Sequence, residues 1–253
     1  MDKGLSDKVE DFRKEVAASG EDIVFSKFPN KILELHKLVE TTLETDSPFH
    51  ISHAVMSTDT TIYLQEDTSP GGPIHKKRKR DDDTSELDKT SSTVHHDPHY
   101  AKFAGRILAN KHMSQNIHGI IKNECAQLAL MIDQVKLWVT LTMPKIEDGD
   151  NFGVQIQEEV LGELQRAQEG AYNMRDAARQ DYLARARICS KIVKYPNVED
   201  YTLSLKEHDE KQLYLARQHL LDIRNIYAVL TDLIHKNISK IRAPKAYNSV
   251  ALY

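Results

Sequence analysis

Ligand-type side chains are densest in one short run of this 253-residue chain. His95, His96, Asp97 and His99 carry the imidazoles and the carboxylate that zinc sites use. A zinc site also needs a rigid frame and partners that orient its ligands. This run follows a segment rich in serine, threonine and aspartate, and no cysteine lies near it. We therefore expect no resident metal here, and no other cofactor.

Adjacent carboxylates and two thiols are the remaining candidates for chemistry. Glu147 and Asp148 lie in a glycine-containing turn, where such residues more often shape the backbone than form an acid–base pair. Cys125 and Cys189 each fall within a helical pattern, which indicates reduced packing thiols rather than a nucleophile. Phosphate-binding glycine loops and nucleophile-elbow motifs do not occur in the sequence. These observations predict a protein that is not an enzyme.

The two carboxylates belong to a short break between two long helical patterns, at residues 144–153. On both sides apolar residues recur every three or four positions, as on one face of a helix. The upstream series is Ile121, Leu128, Ile132, Val135 and Val139, and the downstream series is Val160, Leu164, Ala167, Ala171, Met174 and Ala178. The break also carries Ile146 and Phe152, and apolar residues at a loop tip suggest a contact surface.

Four helical blocks are predicted, at about residues 6–42, 100–143, 153–194 and 198–242. Pro29 should kink or interrupt the first block. Its expected inner face is Val9, Phe12, Val16, Ile23, Ile32, Leu35 and Leu38. The fourth block has a heptad seam with three apolar residues interleaved: Leu213, Leu220, Tyr227, Ile234 and Ile241, with Ala216, Ile223 and Leu230.

These blocks predict a single all-α domain over residues 1–253, an elongated up-and-down four-helix bundle. Residues 45–98 lack a sustained period and should form a long disordered loop between helices 1 and 2. Polar residues outside the seams, with which a bundle could associate laterally, are Gln134, Lys136, Arg179 and Arg185.

Composition narrows the function classes. Hydrophobic residues make up 40% of the chain and charged residues 28%, as in soluble globular proteins. The net charge of −4 disfavours nucleic acid as a partner. No run of about 18 apolar residues occurs, and the first residues lack the apolar core of a signal peptide, so neither a membrane partner nor secretion is expected.

Two further segments favour recognition over catalysis. Lys76, Lys77, Arg78, Lys79 and Arg80 form a basic block in the linker, either a nuclear import signal or a solvated run balanced by the aspartates that follow. The tail at residues 243–253 ends in Val250, Ala251, Leu252 and Tyr253. It is either a frayed terminus or a docking device in which one carboxylate is flanked by apolar side chains.

The break resembles a known family motif. Pro-Lys-Ile-Glu-Asp-Gly-Asp-Asn-Phe-Gly-Val, from Pro144, closely resembles the activation loop of the 11S regulators, the REG family of proteasome activators. Further matches are Trp138-Val139, Lys191 to Tyr201, Arg224-Asn225-x-Tyr227, Leu233 to Ile238 and Phe28-Pro29-x-Lys31. Lys145 stands where the family has arginine, and Asp150 where it has asparagine; we expect Asp150 to be nearly silent.

The resemblance implies an ATP-independent activator of the 20S proteasome that forms a ring of seven subunits. Its activation loop would be Lys145, Ile146, Glu147, Asp148, Gly149, Asp150, Asn151, Phe152 and Gly153. Its C-terminal tail would dock between proteasome α-subunits. The basic block is similar to that of the nuclear gamma type, which implies an import receptor as partner and a nuclear location. The alternative is a nuclear helical scaffold or adaptor that does not act on the proteasome, and a helical metalloenzyme is a remote third.

Overall fold

The computed structural model describes residues 3–64, 105–145 and 151–245. Within these ranges the chain forms six α-helices and one minimal β ladder. The helices are α1 (Lys3–Asp22), α2 (Phe28–Thr41), α3 (Ser52–Ser57), α4 (His118–Thr142), α5 (Phe152–Lys194) and α6 (Glu199–Arg242). The strands are β1 (Tyr63–Leu64) and β2 (Gly105–Arg106). Two π-helical turns, Ile23–Lys27 and Met113–Ile117, lead directly into α2 and α4.

The long helices pack side by side as four antiparallel rods. α5 contacts both α4 and α6, while α1 packs on α4 and α2 packs on α6. α1 and α2 together form the first rod. At about 1.5 Å per residue, the 43 residues of α5 extend over about 65 Å. The predicted fold class, an all-α elongated up-and-down four-helix bundle, is confirmed.

One hydrophobic core runs along the axis of this bundle, and Trp138, Tyr227 and Phe28 are its largest buried side chains. Every residue of the α6 seam is buried, including Ala216, Ile223 and Leu230 between the heptad positions. The predicted α4 series is buried as well, whereas Ala167 and Met174 of α5 are only partly covered. Burial of these faces holds the rods together, because isolated helices gain little stability from backbone propensity alone.

The first rod agrees with one part of its prediction and differs from another. Its regular α-helical hydrogen bonding is interrupted just before Pro29, where the π turn Ile23–Lys27 separates α1 from α2 and Phe28 N–H donates to Ile23 O. Val9 and Phe12 were expected on the inner face, yet they are 40% and 50% exposed. Phe12 lines a cavity with Gln134 and Leu137, which are exposed on α4, whereas Val16, one turn later, packs against the core.

The segment after α2 is more structured than the sequence predicts. Residues 45–64 contain α3 and β1, because Phe49 and Ala54 bury their side chains in the core. The second rod begins at Lys111 rather than near Tyr100. The Asn110 side chain accepts the Met113 N–H at 3.1 Å and so caps its first turn. The rest of the predicted disordered loop, residues 65–98, lies outside the described residues, as do residues 99–104. A search of the described helices for a membrane-spanning segment finds none.

Candidate functional site

One end of the bundle contains both the break between α4 and α5 and the end of α6. α4 ends at Thr142, and Met143 leaves the helix with an extended backbone. α5 begins at Phe152, whose side chain is 61% exposed. Lys145 and Asn151 are also exposed. The break therefore presents an aromatic ring and a lysine to solvent at the tip of the molecule.

A single buried amide, that of Gln157 on α5, connects the helix ends here. Its Nε2 donates to Ile241 O in the last turn of α6 at 2.9 Å and to Thr142 Oγ1 at the end of α4 at 3.2 Å. Gln157 is 0% exposed, so water does not compete for these hydrogen bonds. Ile241 O can only accept, which fixes the orientation of the amide. Three helix ends are thus joined through one side chain.

The start of the C-terminal tail lies against the start of α5. Gly153 contacts the backbone of Pro244 so closely that a β-carbon at position 153 would overlap it. This close approach is why a glycine is needed at position 153. Lys240 Nζ lies 5.9 Å from the centre of the Phe152 ring. The break and the tail therefore emerge side by side.

The first rod is fastened to the same end by charge and stacking. Arg242 donates from Nε and Nη2 to the two carboxylate oxygens of Glu21, at 2.8 and 2.9 Å. Its guanidinium also lies over the Phe25 ring, 5.4 Å from the centre. His235 also stacks on Phe25, with the ring centres 4.7 Å apart, and its Nε2 lies 3.1 Å from Val24 O. All four rods meet at this end through specific contacts.

Two family models match this chain. The family model described as "Proteasome activator PA28, N-terminal" matches residues 3–50, and "Proteasome activator PA28, C-terminal" matches residues 106–251. The chain belongs to the PA28 family of proteasome activators. At the end described above, the first match includes the first rod, and the second includes α4, α5, α6 and the tail as far as residue 251.

Relatives and solved structures agree with this assignment. Human "Proteasome activator complex subunit 3" is 34% identical over 259 residues, covering 100% of this chain and 98% of that protein. "Proteasome activator 28" of Dictyostelium discoideum is 29% identical over 147 residues, covering 58% of this chain and 65% of that protein. The 11S subunit of the Plasmodium falciparum proteasome, PA28, superposes with a TM-score of 0.73 at 27% identity, covering 97% of this chain and 96% of that one.

A more distant structure shows only that the fold is shared. It is described as an archaeal 20S proteasome in complex with mutated P26 activator. Its matching chain is 13% identical, with a TM-score of 0.62 over 98% of this chain and 99% of that one.

The full-length relatives confirm the predicted resemblance to proteasome activators of the gamma type.

Of the sites predicted for this PA28 chain, the described residues include part of the activation loop and none of the other sites. Of the activation loop, Lys145, Asn151, Phe152 and Gly153 are described, and they flank the break as expected. The loop positions 146–150 lie outside the described residues. So do the docking residues 250–253, the basic block 76–80 and the histidine run 95–99. Among the described residues no group of three or more His, Cys, Asp and Glu side chains could hold a metal.

Sequence reasoning missed a buried polar cluster toward the opposite end of the bundle. Asp181 on α5 accepts hydrogen bonds from His118 Nε2 on α4 at 2.7 Å and from His208 Nε2 on α6 at 2.8 Å. Burial opposes ionisation of this carboxyl, but the two histidine hydrogen bonds outweigh it and lower the pKa of Asp181 to about 2. The cluster connects three rods, as Gln157 does at the other end.

A second buried network lies next to it and corrects a prediction. Arg185 was placed outside the apolar seams, yet it is 7% exposed and its Nε donates to Asp209 Oδ1 at 3.0 Å. Asp209 also accepts from Asn110 and from Thr58, which anchors the segment around α3. A signal was present in the sequence: Asp209 lies four residues after buried Leu205 and four before buried Leu213. A charged residue in such a register indicates a buried ion pair.

The two thiols are placed as packing residues. Cys125 is buried in the core, and burial raises the pKa of its thiol to about 12. Cys189 is half-buried, and burial raises the pKa of its thiol as well. Since the thiolate is the reactive form, neither environment activates a nucleophile.

Proposed function

We propose that this chain is an ATP-independent activator of the 20S proteasome, which docks through its C-terminal tails and opens the proteasome gate with its activation loop. The observation that carries the proposal is that the two elements emerge side by side. Gly153, at the end of the loop, touches Pro244, at the start of the tail. A tail seated in a pocket of the proteasome α-ring would thus bring the loop to the α-ring surface.

Loop and tail would divide the work. A tail of apolar side chains with one terminal carboxylate provides affinity, and several tails on one ring provide a high effective concentration. The loop provides the conformational effect only if its contacts are better with the open gate than with the closed one. The full-length relatives named as proteasome activators support this role. So does the shared fold of the chain found in complex with an archaeal proteasome.

A closed ring of identical subunits, seven by family resemblance, is supported by the outer surfaces of α4 and α6. A ring needs two different complementary faces on each subunit. α4 and α6 lie at opposite corners of the bundle, since each flanks both α5 and the first rod. Leu130 and Leu137 are 62% and 41% exposed on α4, while Tyr214 and Val229 are 58% and 59% exposed on α6. Association would cover these side chains.

A nuclear location rests on the basic block at residues 76–80. Five consecutive cations are the pattern that import receptors bind. The resemblance of the block to the basic cluster of the family's gamma type supports its role as a signal.

Hydrolysis of a fluorogenic peptide by purified 20S proteasome tests the proposal, with proteasome binding measured on the same samples. The wild-type chain should stimulate hydrolysis without ATP. Deleting residues 250–253 should abolish binding while native mass spectrometry still shows the ring, because these residues lie beyond the end of α6. Asp150→Tyr should leave binding intact and abolish stimulation. Absence of stimulation by the wild type would favour the scaffold alternative, and loss of binding in Asp150→Tyr would refute the division of labour.

A further inference from the structure

Gln157 connects the three points at which the chain enters or leaves the loop end of the bundle. We propose that Gln157 is a positioning residue that couples tail docking to the activation loop. The proposal rests on the function proposed above and adds to it a route by which docking is transmitted. Gln157 itself lies inside the bundle and would touch no proteasome residue.

The position of each hydrogen bond supports this role. Thr142, one acceptor, lies three residues before Lys145, where the predicted loop begins. Ile241, the other acceptor, lies three residues before Pro244, where the tail leaves the bundle. Gln157 itself lies four residues after Gly153, where the predicted loop ends. One amide group thus sets the spacing of the start of the loop, its end and the base of the tail.

A second contact keeps the same spacing by shape rather than by hydrogen bonding. The Pro244 backbone occupies the space that a side chain at position 153 would need. The base of the tail is therefore packed directly on the first turn of α5. Proline adds stiffness at this point, since its ring fixes one backbone dihedral.

A stiff connection between the tail and the loop would let the docked tail position the loop. A docked tail fixes the base of the tail relative to the proteasome surface. If the loop is held at a constant offset from that base, docking also places the loop against the gate. Without the connection the loop would sample several positions, and its effective concentration at the gate would fall. Affinity, which the tails supply, would change little.

The chain offers a matched control on the same helix. Gln168 is 5% exposed, and its Nε2 donates to Ala129 O on α4 at 3.1 Å. It lies in the middle of α5, eleven residues further from the loop. Substituting methionine in each case keeps a chain of similar length and removes the amide. Both variants lose a buried amide that binds α4, but only Gln157→Met should lose the coupling.

We expect Gln168→Met rings to bind and stimulate the 20S proteasome like the wild type. Gln157→Met rings should bind with a Kd close to that of the wild type. Their maximal stimulation of peptide hydrolysis at saturating activator should nevertheless fall about tenfold, which is the factor expected for losing one to two net hydrogen bonds. Gly153→Ala, which disturbs the Pro244 contact and leaves Gln157 in place, should show the same separation of binding from stimulation. It serves as the second test if Gln157→Met fails to assemble.

Wild-type maximal stimulation by Gln157→Met and Gly153→Ala would overturn the proposal. Equal losses in Gln157→Met and Gln168→Met would also overturn it, because the effect would then be general destabilisation. A wild-type protein that binds the proteasome without stimulating it would refute the proposed function itself. That outcome is distinguishable, because it appears before any variant is compared.

Discussion

The packing of α1 on α4 leaves no room for a side chain at Gly20. Gly20 lies against Trp138, and a β-carbon at position 20 would lie 2.6 Å from Trp138 Cβ and 2.7 Å from Cγ. Favourable carbon–carbon contacts are about 3.5–4.0 Å, so Gly20→Ala requires a displacement of about 1 Å. Those two atoms are the ones nearest the backbone of Trp138, so rotation of the side chain hardly moves them. The indole is also only 1% exposed, which leaves it no free space to enter. The helices themselves must separate.

Two opposed effects determine how Gly20→Ala changes the free energy of unfolding. Overpacking of this kind costs about 1–3 kcal/mol. Replacing glycine by alanine inside a helix gains about 1 kcal/mol. Gly162 in α5 supplies the matched control, because nothing lies within 4 Å of a β-carbon built there. Gly162→Ala should therefore show the gain alone, and the difference between the two variants should equal the overpacking cost of about 1–3 kcal/mol.

Thermal unfolding of wild type and both variants measures this difference. Protomer concentration must be matched, because assembly adds to apparent stability. For a chain of this size each kcal/mol shifts Tm by about 2–4 °C, so Gly20→Ala should melt at least about 2 °C below Gly162→Ala. The reasoning is refuted if Gly20→Ala proves as stable as Gly162→Ala, since α1 would then not be held against Trp138.

Two further predictions concern buried polar groups. The Tyr227 hydroxyl is buried and has no hydrogen-bond partner in the described part of the chain. Tyr227→Phe should therefore raise the free energy of unfolding, measured by urea titration, by about 1 kcal/mol. A decrease of that size would show that the hydroxyl has a partner. Asp181, with its pKa lowered to about 2, binds protons more readily when unfolded, so its stabilisation is present above pH 4 and is lost as pH falls toward 2. The stability difference between wild type and Asp181→Asn should therefore shrink by about 2 kcal/mol over that range, and a constant difference would contradict the assignment.

The sequence predicts the long rods well because each carries an unbroken apolar face. α5 and α6 begin and end within a residue or so of their predicted bounds, and Pro196 and Pro244 follow closely after the helix ends at Lys194 and Arg242. Helical period was a poor guide at the first rod. Val9 and Phe12 keep the spacing of a buried face, but spacing within one helix does not show where that helix crosses its neighbour.

Individual side-chain hydrogen bonds were the other feature that the sequence did not predict. The start of the second rod is fixed by the Asn110 cap, and the segment around α3 is anchored where Thr58 donates to Asp209. Each such contact depends on a partner that is distant in sequence or on a single side-chain oxygen. The loop end shows the same limit, since Gln157 lies in the α5 pattern as an ordinary amide residue. Only the meeting of Thr142 and Ile241 around it gives it a role.

The contacts at the loop end restrict where motion can occur in this PA28 chain. Gln157 joins α4, α5 and α6 by hydrogen bonds, while Arg242 joins α6 to α1 by an ion pair with Glu21. Gly20 brings α1 directly onto Trp138, four residues before Thr142. Three different kinds of interaction therefore hold the four rods at this end, and loss of any one leaves two in place. The described contacts thus form one connected platform at this end, from which the break and the tail emerge next to each other.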